Sequence, residues 1–439
     1  MESQTSVNQQ VGRYRWRICA LVFFATTINY LDRQVISLLK DDYLQPLFHW
    51  SESDYADIVV AFQLAYAVGM LGAGWFIDKI GTKLGYALAL TVWSIAAIVH
   101  AFARSTVGFA AARALLGVSE AGNFPAAIKT TAEWFPKKER ALATGIFNSG
   151  ANVGAVIAPL TVPWIGATLG WEWAFIITGV IGFLWLFFWF ASYEIPSKHK
   201  KVSVAELEYI QSDLDEREDV KGEYKKVSWF KLLTFRQTWS FVFGKFLTDP
   251  VWWFYLFWLP SFLSKEYGWE KTQLALPVAL VYCMSTVGSI GGGWLSGYFM
   301  SKGWPAYRAR KTAMLVFALI AIPVVAAQAL GSINPWLAVI SVGIATSAHQ
   351  AWSANIFTTA SDMFPKRAVG SIVGIGGMAG AVGGILIAKA AGLLLDHYIE
   401  LDSVQTGYYI MFLICGSAYL LAWLIMHFLV PRMQRVNLD

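Results

Sequence analysis

Four ionisable residues stand inside apolar runs in the first half of this chain. Asp32 and Arg33 are adjacent in ICALVFFATTINYLDRQVISLL, and Arg113 and Glu120 lie seven apart in ARALLGVSEAGNFPA. A charge at the centre of a bilayer costs about 2.5–3.5 kcal/mol on insertion scales, so such residues need partners, a wet cavity or a function. Two guanidiniums and two carboxylates suit the joint binding of an anion and a proton. Arginine stays charged and can clamp a carboxylate through two parallel hydrogen bonds. A buried carboxylate is penalised when charged and relieved beside an arginine. An anion that takes the arginine leaves the carboxylate without its partner, ready to accept a proton. The competing structural reading is a set of ion pairs that only fix helix packing.

Depth supports a shared site. At about 1.5 Å per residue, Arg33 in the first apolar run and Arg113 in the fourth reach nearly the same level of a core about 30 Å thick. Glu120 returns to the helix face of Arg113, about 10 Å deeper. Gly117, between them, is expected to leave open space along that wall.

The elements that must position these residues follow from composition. The chain has 439 residues, 56% hydrophobic, 15% aromatic and 14% charged. Soluble domains carry roughly 25% charged residues. An all-α integral membrane protein is expected, with twelve spans near 16–37, 54–77, 84–103, 107–129, 141–164 and 172–193, then 239–264, 273–300, 312–330, 335–357, 368–394 and 407–430. The first run lacks a signal-peptide cleavage pattern and is expected to be retained as a helix. The net charge of +5 is too small to imply nucleic acid, and Cys19, Cys283 and Cys415 are too dispersed for a metal site or a disulfide framework. No nucleotide loop, catalytic triad or metal cluster is present, so no enzyme, cofactor or metal is expected.

Lys and Arg set the orientation. With the N-terminus in the cytoplasm, the inner segments hold Arg13, Arg15, Arg17, Lys79, Lys83, Lys129, Lys137, Lys138 and Arg140, then the middle loop, the Tyr307–Lys311 region, Lys366, Arg367, Arg432 and Arg435. The outer loops hold Lys40, Arg104, Lys265 and Lys271 among many acids. A multi-pass protein of the cell's inner (plasma) membrane is expected, with both termini cytoplasmic.

The halves repeat. TTAEWFPKKERALATG resembles TTASDMFPKRAVGSIVG about half a chain later, and GWFIDKIGTKLG more weakly resembles GWLSGYFMSKG. This implies residues 1–193 and 237–439 as two six-helix units, with a substrate site at their interface near mid-membrane. The charged stretch 194–236 links them. Within it Val204, Leu207, Ile210 and Leu214 recur at helical intervals, predicting a short cytoplasmic surface helix.

The second half carries Lys245, Asp249, His349 and Lys389 inside its spans. Lys245 and Asp249 are spaced for an i,i+4 ion pair. His349 suits a sugar hydroxyl, a titrating role or simple packing. Lys389, near the outer end of its span, is expected to snorkel. Among the many aromatics, Trp252 is singled out as a flat face for the C–H side of a pyranose.

GWFIDKIGTK, with Gly74, Asp78, Lys79, Gly81 and Lys83, resembles the loop signature between helices 2 and 3 of the major facilitator superfamily. The resemblance covers essentially the whole chain and implies that these residues form a conformational latch at the cytoplasmic ends. The second copy has Gly297 where Asp78 stands, which makes the latch asymmetric. YLDR together with ARALLGVSEAGNFPA resembles the anion:cation symporter family within that superfamily. That resemblance implies Asp32 and Glu120 as proton-coupling carboxylates, Arg33 and Arg113 as substrate or coupling arginines, and Tyr30 and Tyr66 as cavity tyrosines. It also places Asn148 and Asn152 where relatives hold a polar substrate contact, although the sugar-acid members carry Gln there and Asn152 departs from them. KFLTDPVWWFYLFWLPSFLSKEYGW and SAHQAWSANIFTTASDMF, with Lys245 and the His349–Gln350 pair, are similar to the hexuronate transporters.

These readings converge on a proton-coupled symporter that imports a sugar acid, in the first place a hexuronate such as glucuronate or galacturonate, by alternating access. The expected partners are the sugar-acid anion, H⁺ and membrane lipid, with the protein a monomer. Na⁺ is an alternative coupling ion, because carboxylates serve either. A symporter for an aldonate or other organic carboxylate is the near alternative. An organic-anion efflux antiporter is the more distant one, since GANVGAVIAPL lacks the Gly-Pro pattern of efflux members.

Overall fold

The structure is a computed structural model that describes residues 12–212, 229–364, 366–432 and 434–437; at Asp78 and at positions 137, 138, 140–142, 361, 366, 367, 369 and 370 only the backbone is described. Twelve helical passes make up the fold. They are α1 (Tyr14–Leu39), α2 (Glu52–Ile80), α3 (Thr82–His100), α4 (Thr106–Glu120 continued by Asn123–Trp134), α5 (Lys137–Leu169) and α6 (Trp171–Ser192). The second set is α7 (Arg236–Tyr267), α8 (Ala275–Ser301), α9 (Ala306–Ala321 continued to Ile333), α10 (Pro335–Met363), α11 (Lys366–Glu400) and α12 (Val404–Leu429). Each lies on a predicted span, most of them extended by a turn at one end. The linker helix Val204–Gln211 forms as expected, and Leu214 lies outside the described residues.

Turns between passes are dictated locally. Ser51 accepts from the Asp54 N–H at 3.0 Å while Asp54 accepts from the Ser51 N–H at 2.9 Å, a capping box that starts α2. Gly81 (φ 91°) and Gly170 (φ 104°) supply the left-handed backbone that joins α2 to α3 and α5 to α6.

Among the described residues, eight of the passes are long and apolar enough to cross a membrane on those criteria alone. The four that fall short are α1, α4, α7 and α10. α4 is broken after Glu120, and the other three fall short on composition. These four recur every third pass and carry Tyr30, Asp32, Arg33, Arg113, Glu120, Lys245, Trp252, His349 and Gln350, while Tyr66 lies on α2 and Asn148 and Asn152 on α5. Helices that line a polar interior need not be lipid-soluble on every face. The outer helices α3, α6, α9 and α12 instead expose Leu88, Phe187, Leu319 and Phe428, as a lipid-facing surface requires.

The repeat is visible in three dimensions. Glu133 at the end of α4 accepts from Thr82 Oγ1 at the start of α3 at 2.7 Å, and Asp362 at the end of α10 pairs with Arg310 at the start of α9. Glycines close the helix pairs. A Cβ at Gly150 or Gly154 of α5 would strike the α1 carbonyls of Phe23 and Thr27, and one at Gly383 of α11 would strike the Phe246 carbonyl of α7.

The two halves meet at the end of the bundle away from the chain termini. Lys40 Nζ at the end of α1 lies 2.7 Å from both oxygens of Glu52 and 3.0 Å from Ser261 Oγ of α7. Lys265 of α7 reaches the same Glu52 carboxylate at 2.5 Å. Asp396 of α11 accepts from the backbone N–H groups of Glu52 and Ser53 at 2.6 and 2.8 Å, so one half supplies the anion at the positive end of the other half's α2. Lys389 pairs with Asp57 rather than snorkelling, because closure brings an acid of the opposite half within its reach. At the terminal end, by contrast, a Cβ at Gly74 and Gly81 near the α2–α3 turn, or at Gly293 and Gly297 of α8 and Gly377 of α11, would meet open space. Among the described residues, polar contacts between α1–α6 and α7–α12 lie from mid-bundle to the closed end.

Glu52 is fully buried and holds two lysines from opposite halves. Removing one member of a buried ion pair costs about 3–5 kcal/mol. Glu52→Gln is therefore expected to lower the melting temperature in detergent. It should also raise maleimide labelling of an Ala56→Cys probe, placed where α2 meets Gly392, in a Cys283→Ser background. Labelling that stays at the parental rate would show that this cluster does not hold the end shut.

Candidate functional site

The site begins with side-chain direction. Helical side chains lean toward their own N-terminus. Arg33 of α1 and Arg113 of the antiparallel α4 stand level, as expected, because Arg113 Nη2 donates to the Arg33 carbonyl at 2.6 Å. The Arg33 side chain then runs back along α1 and reaches Glu120, the deeper carboxylate of α4. Its Nε and Nη2 lie 3.0 and 2.8 Å from Glu120 Oε2, and Nη2 also donates to Asn29 Oδ1, one turn back, at 3.2 Å. Arg33 thus pairs across to α4 and not with its neighbour Asp32.

Gly117 does not open the cavity. A Cβ there would strike the Phe62 carbonyl of α2, so its role is to let α4 approach α2 closely. That approach brings Phe62 and Tyr66 over the arginine. The Arg33 guanidinium lies 4.6 Å from the Tyr30 ring centre, 5.1 Å from Phe62, 5.2 Å from Tyr66 and 5.6 Å from Trp253. Trp253 belongs to α7, so the second half completes the aromatic enclosure. Tyr30, Tyr66 and Trp253 are half-buried, while the Arg33 side chain they enclose is only 3% exposed.

The remaining two charges are less well satisfied. Arg113 is fully buried between Phe62 and Phe257, at 5.2 and 5.9 Å, and its Nε and Nη1 have no hydrogen-bond partner among the described residues. Both oxygens of the buried Asp32 lack one too; the Thr178 hydroxyl beside it donates to the Phe175 carbonyl at 3.3 Å. Asp32 lies within electrostatic reach of Arg113 and Glu120. The cluster therefore balances to zero, with one pair made and one pair held apart. Buried polar atoms without partners are costly, and they concentrate where a ligand or a proton is to be exchanged.

The other candidates are placed around this centre. Asn152 is half-buried and Asn148 exposed on α5. Lys245 and Asp249 form the i,i+4 pair at 2.8 Å, with Lys245 Nζ 4.2 Å from the Phe357 ring centre. Trp252 stacks on His349 at 5.2 Å, and His349 Nδ1 is 2.7 Å from the Tyr419 hydroxyl. Gln350 is half-buried beside it. Neighbours on a helix point about 100° apart. Trp252 therefore faces the interior of the second half while Trp253 faces Arg33, a choice the tandem tryptophans left open. In the candidate latch, Lys79 lies over the Trp75 ring at 4.9 Å. The Lys83 ammonium, 2.8 Å from Glu194, holds that carboxyl below its ordinary range, with help from the Ile195 N–H. The Asp78 side chain lies outside the described residues.

Comparison with known proteins identifies the family and the fold. The family description of the Major Facilitator Superfamily matches residues 22–388. The chain is 33% identical over 389 residues to the hexuronate transporter of Escherichia coli K12, covering 88% of this chain and 89% of that one. It is 35% identical over 285 residues to the galacturonate transporter of Dickeya chrysanthemi, covering 65% and 82%, and 29% identical over 395 residues to a D-galactonate transporter of Escherichia coli, covering 88% and 90%. Its fold superimposes with TM-score 0.76 on a bacterial homologue of the human lysosomal transporter Spinster in an inward-facing, occupied conformation, at 18% identity and 97% and 99% coverage. A D-xylose–proton symporter follows at 0.73, with 16% identity and 97% and 100% coverage.

The contrast between the two carboxylates is measurable. Asp32→Asn removes a buried charge that makes no hydrogen bond here, so the melting temperature should hold or rise. Glu120→Ala strips the partner from buried Arg33 and should cost about 3–5 kcal/mol. A thermal melt in which Asp32→Asn falls as far as Glu120→Ala would identify Asp32 as a structural charge.

Proposed function

Because the chain belongs to the Major Facilitator Superfamily, we propose that it is a proton-coupled symporter that imports a sugar acid, in the first place a hexuronate such as glucuronate or galacturonate. The observation that carries this reading is the buried Arg33–Glu120 pair at 2.8 Å, enclosed by aromatic rings from both halves. The names of the hexuronate and galacturonate relatives support the substrate class. An aldonate is the second reading, supported by the D-galactonate relative.

In the proposed cycle the substrate carboxylate takes the Arg33 fork that Glu120 now occupies. Glu120, left buried without its cation, accepts a proton, and Asp32 holds the second titratable position beside Arg113. Tyr30, Tyr66 and Asn152 offer hydrogen bonds to hydroxyls, with half-buried Gln350 the candidate contact from α10, since the His349 ring is held by Trp252 and Tyr419. With both termini in the cytoplasm, as the Lys/Arg distribution suggests, the open end is cytoplasmic and the arrangement is the inward-facing one. The units 1–193 and 237–439 then rock about the site, joined by the linker 194–236. Breaking the Glu52 and Asp57 contacts opens the outer end, while Gly74, Asp78, Lys79, Gly81 and Lys83 engage at the inner one. The protein acts as a monomer in the inner (plasma) membrane.

In proteoliposomes, an imposed inward proton gradient should drive uptake of labelled glucuronate or galacturonate, and a protonophore should abolish it. Uptake that ignores pH and follows Na⁺ would replace the coupling ion. Glu120→Gln mimics the protonated carboxylate. It should retain counterflow exchange of the sugar acid and lose accumulation against a gradient, both read on one preparation. Intact concentrative uptake in this variant would remove Glu120 from the coupling step.

A further inference from the structure

The second half carries one charged pair at the level of the site, and its state bears on which sugar acids the carrier accepts. Lys245 and Asp249 lie on α7, the helix that also places Trp253 over Arg33. Asp249 is one turn before Trp253, about 6 Å along the axis. The Lys245 ammonium, 2.8 Å from Asp249 Oδ2, is drawn up to that level. The pair is wedged by α11. A Cβ at Gly380 would strike the Asp249 carboxylate, and one at Gly376 would come within 3.3 Å of Lys245 Cγ. Phe357 of α10 covers the ammonium. The Lys245 side chain is 7% exposed and that of Asp249 21%, so the carboxylate is the more accessible member. Lys245 also acts electrostatically on His349, whose ring is committed to Tyr419 and Trp252.

A six-carbon chain with a carboxylate at each end spans about 6 Å between its terminal carbons, long enough to run from the aromatic enclosure one turn along α7. A sugar acid with one carboxylate on Arg33 would lay its far end beside this pair. We infer that Asp249 is a specificity-determining residue. By neutralising Lys245 it leaves the far end of the site without net charge, so that the carrier selects monocarboxylate sugar acids over six-carbon dicarboxylates. A second carboxylate would have to strip Lys245 from Asp249. Asp249 would then remain as a poorly solvated anion next to the incoming one, and like charges at such range repel strongly where water is scarce. A hydroxyl or ring oxygen meets no such penalty. This inference rests on the sugar-acid reading of the site and adds to it the charge class of the substrate.

The test is competition against uptake of labelled glucuronate in proteoliposomes, with unlabelled glucuronate and galactarate as inhibitors. The wild-type protein should require much more galactarate than glucuronate for half-inhibition. In Asp249→Asn the ratio of the two half-inhibitory concentrations should fall at least tenfold, because the freed ammonium now meets the second carboxylate. Asp249→Ser, a smaller side chain beside Gly380, should lower the ratio likewise if the amide variant does not insert. In Asp249→Asn combined with Lys245→Gln the ratio should return toward the wild-type value. An unchanged ratio in both single variants, a wild-type protein that galactarate inhibits as well as glucuronate does, or a gain that survives in the double variant overturns the inference while leaving sugar-acid uptake standing. If the wild-type protein takes up neither glucuronate nor any other sugar acid, the proposed function fails and the inference falls with it.

Discussion

The cost of holding charge away from water is the constraint on which this structure depends. Inside a bilayer a charge must be paired, hydrogen-bonded or left beside a water-filled space. Arg33 meets that demand by reaching one turn back and across to Glu120, with Asn29 taking a further N–H. The consequence propagates outward. A helix that carries such residues cannot be uniformly apolar: α1 and α7 fall short of the lipid-soluble standard that eight other passes meet, as does α10 with its His349–Gln350 pair, while α4 is broken just after Glu120. Those four must be shielded by their neighbours. The shielding in turn requires close packing, which the glycines of α4, α5, α8 and α11 permit by accepting the backbone of the facing helix.

The same constraint operates a second time at the closed end. There charges of opposite halves satisfy each other: Glu52, already paired with Lys40 of its own half, with Lys265, Asp57 with Lys389, and Asp396 with the start of α2. These contacts lie at one end of the bundle, and the Lys389–Asp57 pair is about half exposed, so water can replace it more readily than a partner at the centre. A network of this kind is well suited to be made and broken. The central pair has only another charged group, an anion or a proton, to replace its partner. In the proposed cycle this difference separates the two roles: the end contacts follow the rocking of the halves, and the central pair is where substrate and proton are exchanged.

Much of this was legible in the chain, and the limits are instructive. The twelve spans, the repeat and the level of Arg33 against Arg113 could be read because apolar periodicity and residue counting both survive folding. Three readings needed correction or completion. Gly117 was taken as open space, but a glycine marks close approach as readily as a void, and here Phe62 occupies the space. Lys389 was expected to reach for the interface, but closure places Asp57 beside it. The sequence singles out Trp252 among Trp252, Trp253, Phe254 and Tyr255, but it is Trp253 that faces Arg33, because adjacent aromatics differ only in azimuth, and azimuth is set by how α7 is rotated against its neighbours.

By itself the sequence determined that this chain crosses a membrane twelve times, that its halves are related, and that two arginines and two carboxylates lie at membrane depth. Those are properties of composition and spacing along one dimension. Tertiary structure alone decided who partners whom: Arg33 with Glu120 and not Asp32, Arg113 with a backbone carbonyl, and Lys265 and Lys389 of the closed end with acids from the opposite half. Ion pairing depends on side-chain reach and on the rotation of each helix about its own axis. A pattern of residue types leaves that rotation undetermined until every helix has been packed against the rest.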